Sequence, residues 1–522
     1  MNSIRQQLTH FFSTFSLNSF LLLSFGLPFL TEGLFLFLRQ SFLNNSYHSF
    51  YRLLFFALIF LYSLVFNQPQ THETFQKNFS LASVFISFIF WLLLSPIFFF
   101  RFYQLFLVWE PLPAQILSFL FLYRWKVLPA IIFLYLIILY LLYRSILTPR
   151  YLKEGHPLKT GIQLSWAKTK NSVIKHVIFF LILPAAFLLT NFLLKGAFIA
   201  ATQILTGSVT AMLLLLLHRV LQNMLWALFF LYLLAADKKR RITTSRTKIS
   251  STWLRLMILA CLSLYFFHYE AIYHTQRATE PLTISHRGVT NRNGLQNSLA
   301  ALKKTHTTSQ PDFIEMDVQE TVDHQLVVIH DEDLKTLAHK NLRIDETTWS
   351  ELKEISLKEN GYTSKISLFS DYLAAANRLN QRLLIELKVT AKTKKTIVQR
   401  LLPFKNQLTD HQLQSMDLNT ANQMKKNFPI IKVGYILPFN LLGSPKTTLD
   451  FINIEAQTAH SDLIQYLRQQ KQEIYVWSID SKQQAAAFRF QRVHGLLSDD
   501  LSMLSAVPDD IRSRTASILY FD

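Results

Sequence analysis

The chain has 522 residues, half of them hydrophobic, with 45 Phe but only 12 Gly. Only six of its 34 Asp and Glu residues lie in the first 270 positions, against 23 of its 53 Lys and Arg residues. These numbers exclude a single water-soluble domain and argue against a nucleic-acid-binding protein, because the basicity is confined to one apolar half. Cys261 is the only cysteine, which excludes an intrachain disulfide and a Cys-based zinc site.

Apolar segments long enough to cross a bilayer recur through the first 270 residues, since a spanning helix needs about 20 mostly apolar residues. We predict an α-helical multi-pass transmembrane domain over residues 1–270. A cleaved signal peptide is disfavoured because many further apolar segments follow the first one. About eight spans are expected, with centres near Leu23, Leu58, Phe88, Ile116, Leu134, Ile182, Leu216 and Met257.

Two loops rich in Lys and Arg, at 144–172 and 237–250, predict the orientation of this domain. Such loops usually face the cytoplasm. A last span over about 253–267 would then carry the second half of the chain to the outside. We therefore expect a multi-pass protein of the cell membrane with an extracellular second half. If residues 252–270 lay along the membrane interface instead, that half would remain inside.

Ionisable side chains within the apolar segments are functional candidates, because burying them in a bilayer is costly. They are Glu32, Glu110 and the pair His218–Arg219. Glu110 fits a helix end near the lipid headgroups. His218 and Arg219 interrupt a long apolar stretch over about 197–236, so we expect them to mark a break or to line a cavity. No transport motif accompanies them.

After Phe267 the composition becomes that of a soluble domain, and short apolar strands alternate with helical stretches. This alternation predicts an α/β TIM (β/α)8 barrel over residues 282–522, after a linker at 271–281. Nine strands are predicted, one more than a closed eight-stranded barrel needs. They cover 282–286, 312–318, 326–330, 383–388, 413–417, 430–437, 451–456, 474–479 and 495–499.

Acidic side chains occur on two of these strands, where a buried parallel strand should be continuously apolar. Glu315 and Asp317 share one face of the second strand, and Glu386 shares a face of the fourth with Lys388, because side chains two apart point the same way. Carboxylates gathered at one barrel mouth repel each other unless a cation or proton intervenes. Three oxygen donors suit Ca²⁺ or Mg²⁺, so we predict a divalent metal site.

Histidines end two further strands, His286 after the first and His330 after the third. Two imidazoles near a metal could supply a general acid and a general base, because their ordinary pKa is close to neutral. Arg287 and Lys388 add positive charge for an anion, and a phosphate fits the planar guanidinium. Each signal alone is typical of structural residues. Their conjunction predicts a site.

Three motifs in this order resemble the glycerophosphodiester phosphodiesterase family, whose pattern runs HR, then ExD, then H. They are "ISHRG" at 284–288, "FIEMDVQ" at 313–319 and "LVVIHDEDL" at 326–334. The later segments "LLIELK", "YVWSID" and "GLLSDD" also resemble strands of that family. The resemblance spans about residues 282–505.

The resemblance implies a TIM barrel that hydrolyses glycerophosphodiesters to an alcohol and glycerol phosphate with a divalent cation: Ca²⁺, Mg²⁺ or Mn²⁺. It also implies roles for individual positions. His286 and His330 would be the acid/base pair, Glu315, Asp317 and Glu386 the metal ligands, Arg287 and Lys388 the phosphate contacts, and Trp477 part of the substrate pocket.

One position departs from the family pattern. Soluble members usually carry a Glu-Asn pair after the HRG motif, and this chain has Gln296–Asn297. We expect the neutral amide to alter substrate preference or to weaken metal binding. The order of a multi-span domain followed by a barrel resembles a membrane-anchored branch of the family in Gram-positive bacteria.

Three functions remain open at this point. The first is a membrane-bound phosphodiesterase acting outside the cell on deacylated phospholipids or on a glycerol-phosphate polymer such as lipoteichoic acid. The second is a transporter or lipid-binding membrane protein whose barrel binds headgroups. The third keeps the barrel but changes the reaction to that of a phospholipase D or a cyclising lyase.

Overall fold

The computed structural model describes residues 81–98, 123–145, 147–170, 182–205, 207–235, 280–438, 446–506 and 508–521, with scattered positions between 56 and 120 and between 252 and 269. The chain divides into two compact units. One consists of Met1–Phe106 and Trp125–Thr275, and the other of Leu107–Arg124 and Gln276–Asp522.

The first unit is helical throughout its described part. Its helices are α1 (Leu81–Phe98), α2 (Arg124–Arg144), α3 (Thr148–Lys153), α4 (Leu158–Thr169), α5 (Leu183–Ala201) and α6 (Ser208–Ala235). Among the described residues, two helical stretches are long and apolar enough to cross a membrane by length and composition, Trp125–Leu152 and Ala185–Ile204. The predicted span centres Leu23, Leu58 and Met257, and also Glu32 and Glu110, lie outside the described residues. The count of eight spans stays a prediction.

His218 and Arg219 lie in the middle of α6 and do not break it. The long apolar stretch is interrupted earlier, by a short 3-10 turn at Thr202–Ile204. Both side chains are buried, and the Arg219 guanidinium donates to Gln222 Oε1 at 2.9 Å and lies 5.6 Å from the Tyr265 ring. The expected break at this pair is therefore wrong, and the pair packs inside the helical unit.

The second unit alternates strands and helices. Its strands are β1 (Leu282–Ser285), β2 (Phe313–Glu320), β3 (Leu326–Val328), β4 (Ser356–Glu359), β5 (Tyr362–Lys365), β6 (Ser367–Leu368), β7 (Leu383–Leu387), β8 (Gln412–Ser415), β9 (Lys432–Leu437), β10 (Phe451–Glu455), β11 (Glu473–Trp477) and β12 (Gly495–Ser498). Its helices are α7 (Leu299–Ser309), α8 (Lys335–Ala338), α9 (Trp349–Leu352), α10 (Phe369–Arg378), α11 (Ile397–Leu401), α12 (Leu418–Asn427), α13 (Ser461–Gln469), α14 (Lys482–Phe490) and α15 (Ile511–Phe521).

Eight of these strands close into a parallel barrel. Going around, the order is β1, β2, β7, β8, β9, β10, β11 and β12, and β12 pairs in parallel with β1 to complete the ring. Every neighbouring pair in the ring is parallel. The predicted TIM barrel is confirmed for this part of the chain.

The third predicted strand does not belong to the barrel. β3 pairs antiparallel with β2, and β6 pairs antiparallel with β3. Only a short turn joins β2 to β3, whereas a parallel crossover needs a dozen residues or more. Residues 326–368 are therefore an insertion between the second and third barrel strands. The insertion has its own apolar core, which includes Val327, Ile344, Leu352 and Leu357.

The two faces of β2 have different environments, because side chains alternate along a strand. Ile314, Met316 and Val318 pack in the large core between barrel and helices. Phe313 joins the smaller cluster inside the barrel, where Phe451 and Tyr475 stack at 4.5 Å between ring centroids. Residues 315 and 317 share the inner face with Phe313. The acidic residues of β2 thus point into the barrel above an apolar floor.

Candidate active site

Three carboxylates meet at the C-terminal ends of β2 and β7. Asp317 lies directly opposite Glu386 in the parallel register, and Glu315 stands two residues earlier on β2. One oxygen from each lies within 4.8 Å of the others, and the residues are only 1 to 6% exposed. The predicted meeting of Glu315, Asp317 and Glu386 is therefore seen in the structure.

Burial and repulsion act together on Glu315. Removal from water, and then the nearby charges of Asp317 and Glu386, raise the pKa of Glu315 well above its ordinary value. The backbone N–H of Arg287 donates to Glu315 Oε2 at 2.8 Å and offsets part of this cost. Ionisation of Glu315 is therefore disfavoured beside the other two carboxylates, and a bound divalent cation would remove that cost.

The pKa of Asp317 shifts in the opposite direction. Burial would raise its pKa, but the charges of Lys388, His330 and Arg287 together lower it to about 2. The Asn297 side chain donates to Asp317 Oδ2 at 2.8 Å and accepts from the Asp317 backbone N–H at 3.1 Å. Asp317 thus stays ionised and held in one orientation.

Lys388 follows β7 directly and lies among the carboxylates. Its ammonium is 3.3 Å from Glu386 Oε1 and 3.5 Å from Asp317 Oδ1. Burial would lower the pKa of Lys388, but Glu386 and Asp317 raise it. With Arg287, two cationic side chains lie beside three carboxyl groups, so they would offset the charge of the cluster only in part once all three carboxyl groups are ionised around a bound cation.

Arg287 begins the loop after β1 in a left-handed conformation, with φ of 54°. A residue with a side chain adopts that conformation only at some cost, so its surroundings must hold it there. Its N–H is bound by Glu315, as above, and its carbonyl oxygen accepts from the Asn297 N–H at 2.8 Å. The buried Nε makes no hydrogen bond in the structure, and it lies 4.0 Å from Asp317 Oδ2. Such a donor suits an anionic ligand.

His286 follows β1 and pairs with the carboxylate of Asp499, the residue directly after the last barrel strand. Its Nδ1 lies 2.8 Å from Asp499 Oδ1, which an Nδ1–H donor satisfies, leaving Nε2 as the free ring nitrogen. Burial would raise the pKa of Asp499, but the hydrogen bond from His286 and its charge lower it. The Trp477 ring lies 6.4 Å from the His286 ring, and its buried Nε1–H makes no hydrogen bond.

His330 lies two residues beyond β3, in the insertion and not at the end of a barrel strand. Its Nδ1 is 2.8 Å from Asp331 Oδ1, so it has the same kind of carboxylate partner as His286. The Gln319 side-chain amide donates to the carbonyl oxygens of Ile329, His330 and Asp331 at 2.8 to 3.1 Å. A barrel residue thus fixes the position of a histidine carried by the insertion.

The structure adds positioning residues to which the sequence reasoning gave no role. They are Asn297, Gln319, Asp331 and Asp499. The role of Asp331 could have been predicted from its place next to His330, because a carboxylate beside a histidine can orient the imidazole. Asp499 lies 213 positions from His286, and the available signal was its place at the end of the last predicted strand, 495–499.

Gln296 does not lie among the three carboxylates. Its side-chain oxygen accepts from Arg287 Nη1 at 3.0 Å, and its amide nitrogen donates to Glu359 Oε1 at 2.7 Å. The amide therefore acts on the guanidinium, and the structure offers no contact by which it would weaken metal binding directly.

Chemically, the site offers three oxygen ligands, two oriented imidazoles and two cations around one opening. The carboxylates fit a hard divalent cation, as their donor chemistry and the raised pKa of Glu315 both indicate. The cations fit a phosphate. The residues predicted as acid/base, metal and phosphate groups are assembled here, and their roles stay predictions.

Comparison with known proteins agrees with this arrangement. Residues 286–429 match the model of the glycerophosphoryl diester phosphodiesterase family. This part of the chain is therefore similar to that family. The match begins at His286 and includes the three carboxylates, both histidines and the insertion.

Curated relatives are distant. A glycerophosphodiester phosphodiesterase of Arabidopsis thaliana is 21% identical over 219 residues, covering 39% of this chain and 67% of the relative. A glycerophosphodiester phosphodiesterase of Caldanaerobacter subterraneus is 24% identical over 233 residues, covering 42% of this chain and 94% of the relative.

Solved structures of the same description were also found. A phosphodiesterase of Oleispira antarctica in complex with the product sn-glycerol-3-phosphate is 16% identical, with a TM-score of 0.38, covering 45% of this chain and 97% of that one. A glycerophosphodiester phosphodiesterase of Thermotoga maritima is 22% identical, with a TM-score of 0.36, covering 43% and 97%.

Proposed function

We propose that this chain is a membrane-bound, divalent-metal-dependent glycerophosphodiester phosphodiesterase whose barrel acts outside the cell. The family match and the names of its relatives make it an enzyme of this class, a phosphoric diester hydrolase. The observation that carries the metal requirement is the convergence of Glu315, Asp317 and Glu386 within 4.8 Å. Membrane attachment, metal dependence and the roles of the individual residues are part of what we propose.

The two histidines would move protons. Each has its Nδ1 engaged by a carboxylate, so Nε2 is the ring nitrogen that would face the substrate. One imidazole would take a proton from the nucleophile, water or a glycerol hydroxyl, as the P–O bond forms, and the other would give a proton to the departing alcohol oxygen as its P–O bond breaks.

Arg287 and Lys388 would bind the phosphate and offset the charge that develops on its oxygens. Trp477 would line the pocket beside His286. Glu315, Asp317 and Glu386 would hold a divalent cation, which when bound supplies Lewis-acid polarisation of a phosphoryl oxygen. Ca²⁺, Mg²⁺ and Mn²⁺ all accept such oxygen ligands.

A second group of cations favours a substrate with several phosphates. A cleft of about 450 Å³ runs along α12, between the segment that follows β7 and the last turn of that helix. Its lining includes Lys394, Lys395 and Lys426. A glycerol-phosphate polymer would engage both groups of cations, whereas a single deacylated phospholipid would engage one.

The exposed apolar surface of the helical unit supports membrane attachment. On α2, the side chains of Ile131, Phe133 and Leu134 are about half to two thirds exposed. On α5, Leu188 and Phe192 are at least about two thirds exposed. A soluble domain rarely leaves such a surface in water. A bilayer of lipids is the partner that would cover it, and the basic loops would place the barrel outside.

The direct test is hydrolysis by the purified full chain in detergent. We expect glycerol phosphate from glycerophosphocholine, glycerophosphoglycerol and lipoteichoic acid fragments with an added divalent cation, and a loss of about 10² to 10⁴-fold in kcat in His330→Ala. Preference for the polymer should fall at high salt, because surface charges are screened. No glycerol phosphate from any diester would reject the proposal, and a cyclic phosphate as final product would favour a lyase.

A further inference from the structure

An insertion hairpin reaches the loop that carries Gln296. β4 and β5 pair in an antiparallel hairpin whose two turn residues are Asn360, with φ of 52°, and Gly361, with φ of 81°. Asn-Gly with both φ angles positive is typical of a type I′ turn. The turn places Glu359 at the end of β4, opposite Tyr362.

Glu359 directs both carboxylate oxygens at one residue. Its Oε2 accepts from the Gln296 backbone N–H at 2.8 Å, and its Oε1 accepts from the Gln296 side-chain amide at 2.7 Å. A carboxylate that accepts two hydrogen bonds from the same residue fixes both its backbone and its side chain.

Gln296 passes this constraint to Arg287, whose Nη1 donates to the amide oxygen at 3.0 Å. A carboxylate can only accept and a guanidinium can only donate, so just one orientation of the amide satisfies both neighbours. Replacing Glu359 therefore removes what determines which end of the amide faces the arginine.

Two neighbouring contacts hold the same loop. The Asn360 side chain donates to the Gly294 carbonyl oxygen at 3.2 Å, and Leu295 packs into the apolar core of the insertion. Three successive loop residues are thus tied to the insertion. The hairpin therefore helps to hold the loop that carries Gln296 in place.

We propose that Glu359 is a positioning residue for Arg287, acting through Gln296, so that the insertion sets the orientation of the guanidinium toward the substrate phosphate. The inference rests on the proposed function, in which Arg287 contacts that phosphate. It adds a specificity role for a residue outside the barrel. Because the amide is neutral, Glu359 also supplies the negative charge of this chain of contacts.

The test is an exchange of the two polar groups. Glu359→Gln leaves an amide N–H facing a donor, and Gln296→Glu sets two carboxylates against each other. In the double variant Q296E/E359Q, the new carboxylate can accept from Arg287 and from the new amide, whose oxygen can accept from the backbone N–H of position 296. All three hydrogen bonds are then possible again. Glu354→Gln is the matched control, because Glu354 pairs with Lys365 near the same hairpin, with both side chains largely exposed.

The readouts are KM and kcat for glycerophosphocholine, and the Kd of glycerol 3-phosphate by calorimetry. We expect Glu359→Gln and Gln296→Glu to raise KM and this Kd roughly tenfold, as the loss of one charge-assisted contact to the anion-binding group predicts. The double variant should return both to within about threefold of wild type, and Glu354→Gln should leave them unchanged. In an Arg287→Lys background, Glu359→Gln should have no further effect.

Equal KM and Kd in wild type and Glu359→Gln, or a double variant no better than the singles, would overturn the inference while the hydrolase stands. A hairpin that is merely structural would lower the melting temperature of Glu359→Gln without changing KM. Wild-type protein that neither binds glycerol 3-phosphate nor hydrolyses a diester would overturn the inference and the proposed function together.

Discussion

The orientation of each of the two histidines depends on a carboxylate that contacts its Nδ1. For His286, this can be tested by changing one oxygen of that carboxylate. Asp499 accepts from His286 Nδ1 and so selects the tautomer that leaves Nε2 free. An amide at this position can donate to Nδ1 and favour the wrong tautomer. The orientation of the ring and its proton therefore depend on a residue of the last barrel strand's loop.

We predict that Asp499→Asn lowers kcat by roughly 10² to 10⁴-fold with little change in KM, as the loss of a tautomer-fixing carboxylate does elsewhere. Asp500→Asn is the control, because Asp500 accepts from the Ser502 N–H and has no hydrogen bond to the histidine. Steady-state kinetics of both variants give the kcat and KM values that test this prediction. Equal kcat in the two variants would show that Asp499 has no orienting role.

Glu315 predicts a pH effect on stability. Its folded pKa is raised above the ordinary value of 4.5, so the stability it contributes is complete below that pH and is lost as the pH rises through the folded pKa. In metal-free protein, the stability of wild type relative to Glu315→Gln should therefore fall as the pH rises from about 4.5 toward neutral. Asp317, whose pKa is lowered, loses its contribution only in more acidic solution.

The measurement is hydrogen exchange in β2 and β7, corrected for the intrinsic rate at each pH. Added Mg²⁺ should remove the decline in wild type, because the cation replaces the proton. Parallel stability curves for wild type and Glu315→Gln without metal would contradict the raised pKa.

At the scale of elements, the barrel was predictable and the insertion was not. Short apolar runs alternating with helices predicted all eight barrel strands, because buried parallel strands are continuously apolar. The run at 326–330 has the same composition, since it is buried in the core of the insertion. Composition could not distinguish the two. The short connection after β2 could, because it is too short for a parallel crossover.

Site residues were predictable where they belong to a local pattern of the chain. The residues of the site motifs lie at strand ends or within strands, where periodicity identifies them. Glu359 and Gln296 are 63 positions apart, and only the fold of the insertion brings them together. Contacts of this kind leave no local pattern in the chain.

The insertion's histidine should depend on the barrel through Gln319. We predict that Gln319→Leu lowers kcat by roughly tenfold or more, because three carbonyl oxygens around His330 lose their shared donor. Gln325→Leu is the control, since Gln325 is exposed in the turn before β3. Activity and the melting temperature should be measured together. A fall in melting temperature with unchanged kcat would show that Gln319 only stabilises the fold.

The whole molecule combines a helical unit with much exposed apolar surface and a barrel in which the predicted site residues lie close together. The sequence predicted this order from the uneven distribution of charge and apolar residues. The predicted number of spans and the predicted outer position of the barrel depend on how the chain would enter a bilayer, and the fold of the barrel carries no information about that step.

Topology can be tested with single cysteines, because Cys261 is the only one present. In a Cys261→Ser background, we predict that a membrane-impermeant maleimide labels Lys405→Cys in the barrel on intact cells. Lys159→Cys, in the first basic loop, should be labelled only after permeabilisation. The reverse pattern would place the barrel inside the cell.

In the proposed mechanism, Glu315, Asp317 and Glu386 hold one divalent cation on which hydrolysis depends. The most direct measurement is a calorimetric titration of chelator-treated protein with Mg²⁺, Mn²⁺ and Ca²⁺, run beside the release of glycerol phosphate. We predict one ion per chain, activity that rises with its binding, and loss of both in the triple variant E315Q/D317N/E386Q. Full hydrolysis in chelator, or unchanged ion binding by the triple variant, would contradict the account.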